Sequence, residues 1–190
     1  GSMSNSRKKL EQIIPKIESE AFIHNKGLGN ETGFYIFDYD PKDELLVRDY
    51  IKHIKKELNH PASDRRIIEY DLYEILLEII REKKIQSQVP VMEEKKGREK
   101  LWEAIINVAG TDAYIAKINQ KYQPGDVIFI TGVGKVYPFM RSHNILNNLH
   151  HVLDEVPVVM FFPGTYDGQS LKLFNRFNDD NYYRAFQLIK

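Results

Sequence analysis

Residues Gly125 to Gly164, GDVIFITGVGKVYPFMRSHNILNNLHHVLDEVPVVMFFPG, decide how the chain folds. Val127 to Ile130 is a short, unbroken apolar run, the pattern of a strand covered on both faces. Thr131-Gly132-Val133-Gly134-Lys135 turns the chain, and the spacing predicts a helix from about Ser142 to Leu153. Val158 to Phe162 is a second buried run, entered through Pro157, which a first strand position tolerates. Strand, glycine turn, helix and strand make the crossover unit of a parallel α/β sheet.

Upstream segments repeat this alternation. Ser6 to Glu20 carries a helical stripe of Leu10, Ile13, Ile14 and Ile17, and Pro15 predicts a kink or two short pieces. Phe34 to Phe37 reads as the first buried strand. Asp40 as cap, Pro41 at the first helical position and acidic Asp43 and Glu44 then start a helix. Val47, Tyr50, Ile51, Ile54 and Leu58 form its buried face. Arg65 to Glu69 reads as a second strand. Asp71, with Glu74 three residues on, caps the next helix through Ile80. Ser87 to Lys96 reads as loop, and Leu101 to Gly110 and Thr111 to Ile118 as two further helices. Leu171 to Phe174 is predicted as a strand and Asn178 to Asn181 as a turn. Tyr183 to Ile189 is expected to close the chain as a strand antiparallel to its neighbour. The fold class is therefore α/β: a mostly parallel central sheet of about five strands with helices on both faces.

Composition narrows the function. At 190 residues, residues 3–190 fit a single domain, and Gly1-Ser2 before Met3 reads as a tag scar. The 27 basic and 27 acidic residues cancel, which argues against DNA binding by this chain alone. The absence of cysteine excludes disulfides, thiolate metal sites and a cysteine nucleophile, and suits a reducing cytoplasm. No apolar stretch approaches the roughly 20 residues of a membrane span.

Candidate chemistry falls into three groups. The turn holding Gly132, Gly134 and Lys135 suggests a phosphate loop, but Phe129 stands at the first glycine position and Val136 at the hydroxyl position. A plain strand-to-helix turn is the stronger reading. Asp38 and Glu69 lie at the ends of the first two strands, where a magnesium ion or nucleotide could bind. Asp40 and Asp71 are better explained as caps. His143 and His150 are seven residues apart, about 10 Å along a helix, too far to share a zinc easily, and His143, His150 and His151 read as helix-surface or interface residues. No catalytic residue, metal site or cofactor is assigned. The aromatic-rich end, with Tyr166, Tyr182 and Tyr183, points instead to a partner surface, and Arg141, His143, Asn144 and Asn147 to a polar strip beside the glycine turn.

Three stretches carry a family resemblance: TGVGKVYPFMRSHNILNNLHHVLDEVPVVMFFPGTYDGQSLKLF, NKGLGNETGFYIFDYDPKDELLVRDYI and the closing YYRAFQLI. Together they resemble the BrxB family of the BREX (bacteriophage exclusion) systems over nearly the whole chain. The resemblance implies a small cytoplasmic bacterial protein from a phage-defence cluster, which also encodes a PglZ phosphatase-fold protein, an adenine-specific DNA methyltransferase and a large ATPase. It implies a non-enzymatic assembly component with PglZ as first partner, and brings no catalytic residues. The arrangement of strands also resembles a degenerate P-loop ATPase domain that lacks the phosphate loop. The rival reading is a magnesium- or nucleotide-dependent enzyme using Asp38, Glu69 and Lys135.

Overall fold

Alternation along three central strands sorts the core into two layers. In β1 (Phe34–Tyr39), β3 (Asp126–Thr131) and β4 (Val158–Tyr166), Phe34, Ile36, Ile128, Ile130, Val158, Met160 and Phe162 belong to one apolar cluster. Tyr35, Phe37, Val127, Phe129, Val159 and Phe161 belong to the other. Successive strand side chains point to opposite faces, so unbroken apolar runs require cover on both. The computed structural model describes residues 2–24, 33–82, 112–137, 142–153, 156–181 and 184–190.

One face is covered by α1 (Ser2–Glu11), α2 (Ile13–Glu18), α3 (Glu20–His24) and α4 (Glu44–Leu58), which contribute Leu10, Ile13, Ile17, Phe22, Val47, Ile51, Ile54 and Leu58. The helix break after Glu11 answers the kink expected near Pro15. The opposite face is covered by α5 (Leu72–Glu82), α6 (112–118), α7 (Val133–Val136) and α8 (Ser142–Val152). Burying each large aliphatic side chain is worth about 1.5–3 kcal/mol, so both layers are needed to hold the sheet.

The strand order is β2-β3-β4-β1-β7, with β2 at Arg66–Asp71 and β7 at Phe186–Gln187, and all four pairings are parallel. The chain thus runs from β1 three strand positions over to β2, returns through β3 and β4, and finishes on the far side of β1. The last strand is parallel to β1, not antiparallel to its sequence neighbour as expected: Leu188 N–H donates to the Ile36 carbonyl at 2.9 Å. Beyond the parallel core, β5 (Ser170–Leu173) pairs antiparallel with the end of β4, and β6 (Phe177–Asn181) pairs with β5. The stretch expected to turn at Asn178 to Asn181 is therefore a strand. Polar composition there suggested a turn, but an edge strand needs only its backbone to pair.

At the opposite edge Ile67 directs its backbone away from β3, because Arg66 N–H already faces it, donating to Gly125 O at 2.9 Å. The Asn59 side chain, just past α4, fills that gap. Its Nδ2 donates to Ile67 O at 3.0 Å and its Oδ1 accepts from Ile67 N at 2.7 Å. An amide side chain thus satisfies part of an edge that would otherwise template another strand. At the amino ends of the same strands, buried Asp126 accepts both Arg66 Nε (3.0 Å) and Nη2 (3.1 Å).

Candidate functional site: a cleft at the carboxyl ends of the parallel strands

The connection leaving β1 goes to the α4 face, whereas those leaving β2 and β3 go to the α5–α8 face. Connections that diverge in this way open a crevice beyond the strand ends, the usual ligand position in open α/β sheets. Here it is a cleft of about 550 Å³. Glu44, Arg48, Ile51 and Lys52 of α4 form one wall, and Glu69, Asp71, Thr131, Gly132, Gly134 and Lys135 the other. Tyr39, Phe161, Pro163 and Phe174 complete an apolar floor.

The expected acids sit at strand ends, but they do not converge. β1 and β2 are separated by β3 and β4, so Asp38 and Glu69 lie three strand steps apart, about 14 Å. Each also has an internal task. Asp38 Oδ1 accepts from Lys9 Nζ at 3.2 Å, and its Oδ2 from Tyr166 N at 3.0 Å, tying α1 to the end of β4. Glu69 accepts from Lys55 Nζ (2.9 Å) and Thr131 Oγ1 (2.6 Å), joining α4 to the sheet. Among the described residues no group of three metal-ligating side chains gathers.

Both capping assignments are visible. Asp40 Oδ1 accepts from Lys42 N at 3.0 Å and starts the 3-10 turn before α4. Asp71 Oδ1 accepts from Tyr73 N (2.9 Å) and Glu74 N (3.3 Å), closing the first turn of α5. The glycine turn is explained by close approach. Gly132 has φ +76°, and a Cβ there would overlap Asp71 Oδ1 and lie 3.1 Å from Leu72 N and Tyr73 N. At Gly134 a Cβ would meet the Phe174 ring at 2.9 Å. These glycines let β3 and α7 pack against the α5 cap and the β4–β5 corner. Among the described residues the helix directly behind the turn is the four residues Val133–Val136.

Several residues lie where the sequence did not place them. Tyr166 is fully buried and its hydroxyl donates to Ala185 O at 3.0 Å, so it is a core residue, not an exposed contact; burial pushes its phenol up to about 12. His150 is also buried, its ring 3.8 Å from that of Phe34, so it is a core residue and not the helix-surface or interface histidine expected. Asn144 and Asn147 are exposed and three residues apart on α8, hence on one face. Arg141, Tyr182, Tyr183 and the side chain of His143 lie outside the described residues.

The sequence reading missed the α4 wall. Buried Tyr39 donates to Glu44 Oε1 at 2.8 Å, and Arg48 Nε donates to Glu44 Oε2 at 3.2 Å. Burial, and then the Glu44 carboxylate beside it, raise the Tyr39 phenol far above its ordinary range. Arg48 and Lys52 stand four residues apart on a helix starting at the first strand's carboxyl end. That spacing was the available signal.

A family model described as "BREX protein BrxB" matches residues 68–188. A BREX protein BrxB of Bacillus cereus (strain H3081.97) is 51% identical over 191 residues, covering 98% of this chain and 99% of the relative. A BREX protein BrxB of Escherichia coli O9:H4 (strain HS) is 33% identical over 184 residues, covering 95% and 90%. No solved structure matches the chain at a significant level.

Proposed function

The chain belongs to the BrxB family of BREX proteins, and from that premise we propose that it is a non-enzymatic structural and interaction component of a bacterial antiphage defence complex. It works in the cytoplasm and binds the PglZ phosphatase-fold protein, with the methyltransferase and large ATPase of the same system as further partners. One observation carries this reading over the rival enzyme: the candidate carboxylates are already committed inside the fold. Asp38 and Glu69 link helices to strands, and Asp71 caps a helix. A metal shared by Asp38 and Glu69 would also have to span about 14 Å across the sheet, far beyond metal–oxygen distances of roughly 2.0–2.6 Å.

Surface for such docking is present. Asn144 and Asn147 offer a polar strip on α8, and Phe186, 42% exposed, sits on β7 at the sheet edge. Phe186 lies beside Tyr35 in the α1–α4 layer and α8 in the opposite layer, so these are two separate candidate contacts. Size-exclusion chromatography with light scattering, on this chain mixed with its cognate PglZ, tests the reading. The expected result is a co-eluting complex that is weakened when Asn144→Arg and Asn147→Arg are combined. Two separate peaks for the unaltered chain would reject PglZ as the direct partner.

A further inference from the structure

Hydrogen-bonding groups along the cleft are unevenly committed. Glu44 accepts through both oxygens, from Tyr39 and Arg48, and Glu69 through both, from Lys55 and Thr131. Asp71 Oδ1 receives two backbone N–H groups. The cationic side chains on the same walls are far less engaged. Arg48 donates only through Nε, so its two Nη nitrogens have no acceptor among the described residues. Lys52 forms no hydrogen bond or ion pair with them, and the Lys135 ammonium stands 5.4 Å over the Tyr73 ring. Asp71 Oδ2 apart, the carboxylate oxygens on these walls are taken while cationic donors remain open, so the cleft suits a ligand rich in negatively charged oxygen.

The shape of the site narrows the class. Arg48 is held by its Nε through a carboxylate that is itself held by a buried phenol, which orients the open end of the guanidinium. Such a planar fork matches phosphate or carboxylate oxygens. Three cations suit a phosphate group, which carries about −2 charge and three acceptor oxygens. Phe174 and Pro163 on the floor provide a surface for carbon, which an inorganic anion would leave unused. We propose that this cleft binds a small organic phosphate with an apolar or aromatic body, its phosphate received by Arg48, Lys52 and Lys135. Binding needs no metal ion, because the Arg48 Nη groups, Lys52 and Lys135 supply donors to the phosphate directly, while Glu44, Glu69 and Asp71, which balance those cations in charge, are engaged in the fold.

Isothermal titration of the full chain with ADP and with inorganic pyrophosphate, both in EDTA, tests this. ADP binds, and more tightly than pyrophosphate. At a concentration a hundredfold above Kd it raises the melting temperature by about 5–10 °C. Lys52→Glu and Arg48→Ala each weaken ADP binding at least about tenfold. Lys52→Glu shifts the ligand-free melting temperature by no more than about 2 °C, as an exposed substitution should. Failure of millimolar ADP to bind, a requirement for magnesium, or unchanged affinity in Lys52→Glu would overturn the proposal. Equal affinity for pyrophosphate would overturn its organic part and leave an inorganic anion as the ligand. No second protein is present, so the outcome is separate from PglZ docking.

Discussion

Gly132→Ala, combined with Asp71→Ala, probes the contact on which the glycine turn depends. Gly132 holds φ +76°, and an added Cβ would collide with the Asp71 carboxylate that caps α5. A left-handed conformation costs a non-glycine residue about 1–2 kcal/mol. Dislodging the cap costs about 1 kcal/mol more. Gly132→Ala alone should therefore lose about 2–3 kcal/mol, and Asp71→Ala alone about 1 kcal/mol. In the double variant the collision is gone and the cap is lost only once, so the total is about 2–3 kcal/mol and not the sum of about 3–4 kcal/mol. Urea unfolding of all four proteins measures the cycle; for a chain of this size each kcal/mol also moves the melting point by about 2–4 °C. Strict additivity, or a Gly132→Ala protein as stable as the parent, would refute the packing account of Gly132.

Asn59→Ala removes both hydrogen bonds to the Ile67 backbone on the β2 edge. The expected loss is about 1–3 kcal/mol in urea unfolding, together with more aggregation on heating. Tyr114 is fully buried and its hydroxyl finds no partner among the described residues, so Tyr114→Phe should leave stability unchanged or raise it by up to about 1–3 kcal/mol. A loss of several degrees in melting temperature would show that the hydroxyl is satisfied after all. Buried Tyr39, Tyr114, Tyr122 and Tyr166 all have phenols raised above the usual value, chiefly by burial, Tyr166 to about 12. A raised folded-state value favours the native state fully below the ordinary tyrosine pKa of about 10. That stability is lost as pH rises through the folded values. Absorbance at alkaline pH should therefore show these four ionising late and together with unfolding; early, independent ionisation of all eleven tyrosines would contradict their burial.

Local sequence determined the features whose causes lie within a few residues. Apolar runs marked β1, β3 and β4 as strands covered on both faces. Asp40 and Asp71 announced helix starts because a cap bonds N–H groups only two or three positions away. Strand order could not be read this way, because pairing energies join segments far apart in the chain and leave no periodic trace. The same holds for the side chains that the sequence left as candidate ligands. Asp38 meets Tyr166 across 128 residues and Glu69 meets Thr131 across 62, so their roles as fold links exist only once the sheet is assembled. Tyr166 looked available for a partner until β4 and the chain end enclosed it. The direction of β7 was likewise undecided locally, since two residues of strand pair as readily either way until β1 is the neighbour. The cleft joins Arg48 and Lys52 on an early helix to Lys135 on a late turn. Its residue types were legible in the sequence, but their convergence came from the crossover that carries α4 over one face while α7 leaves on the other.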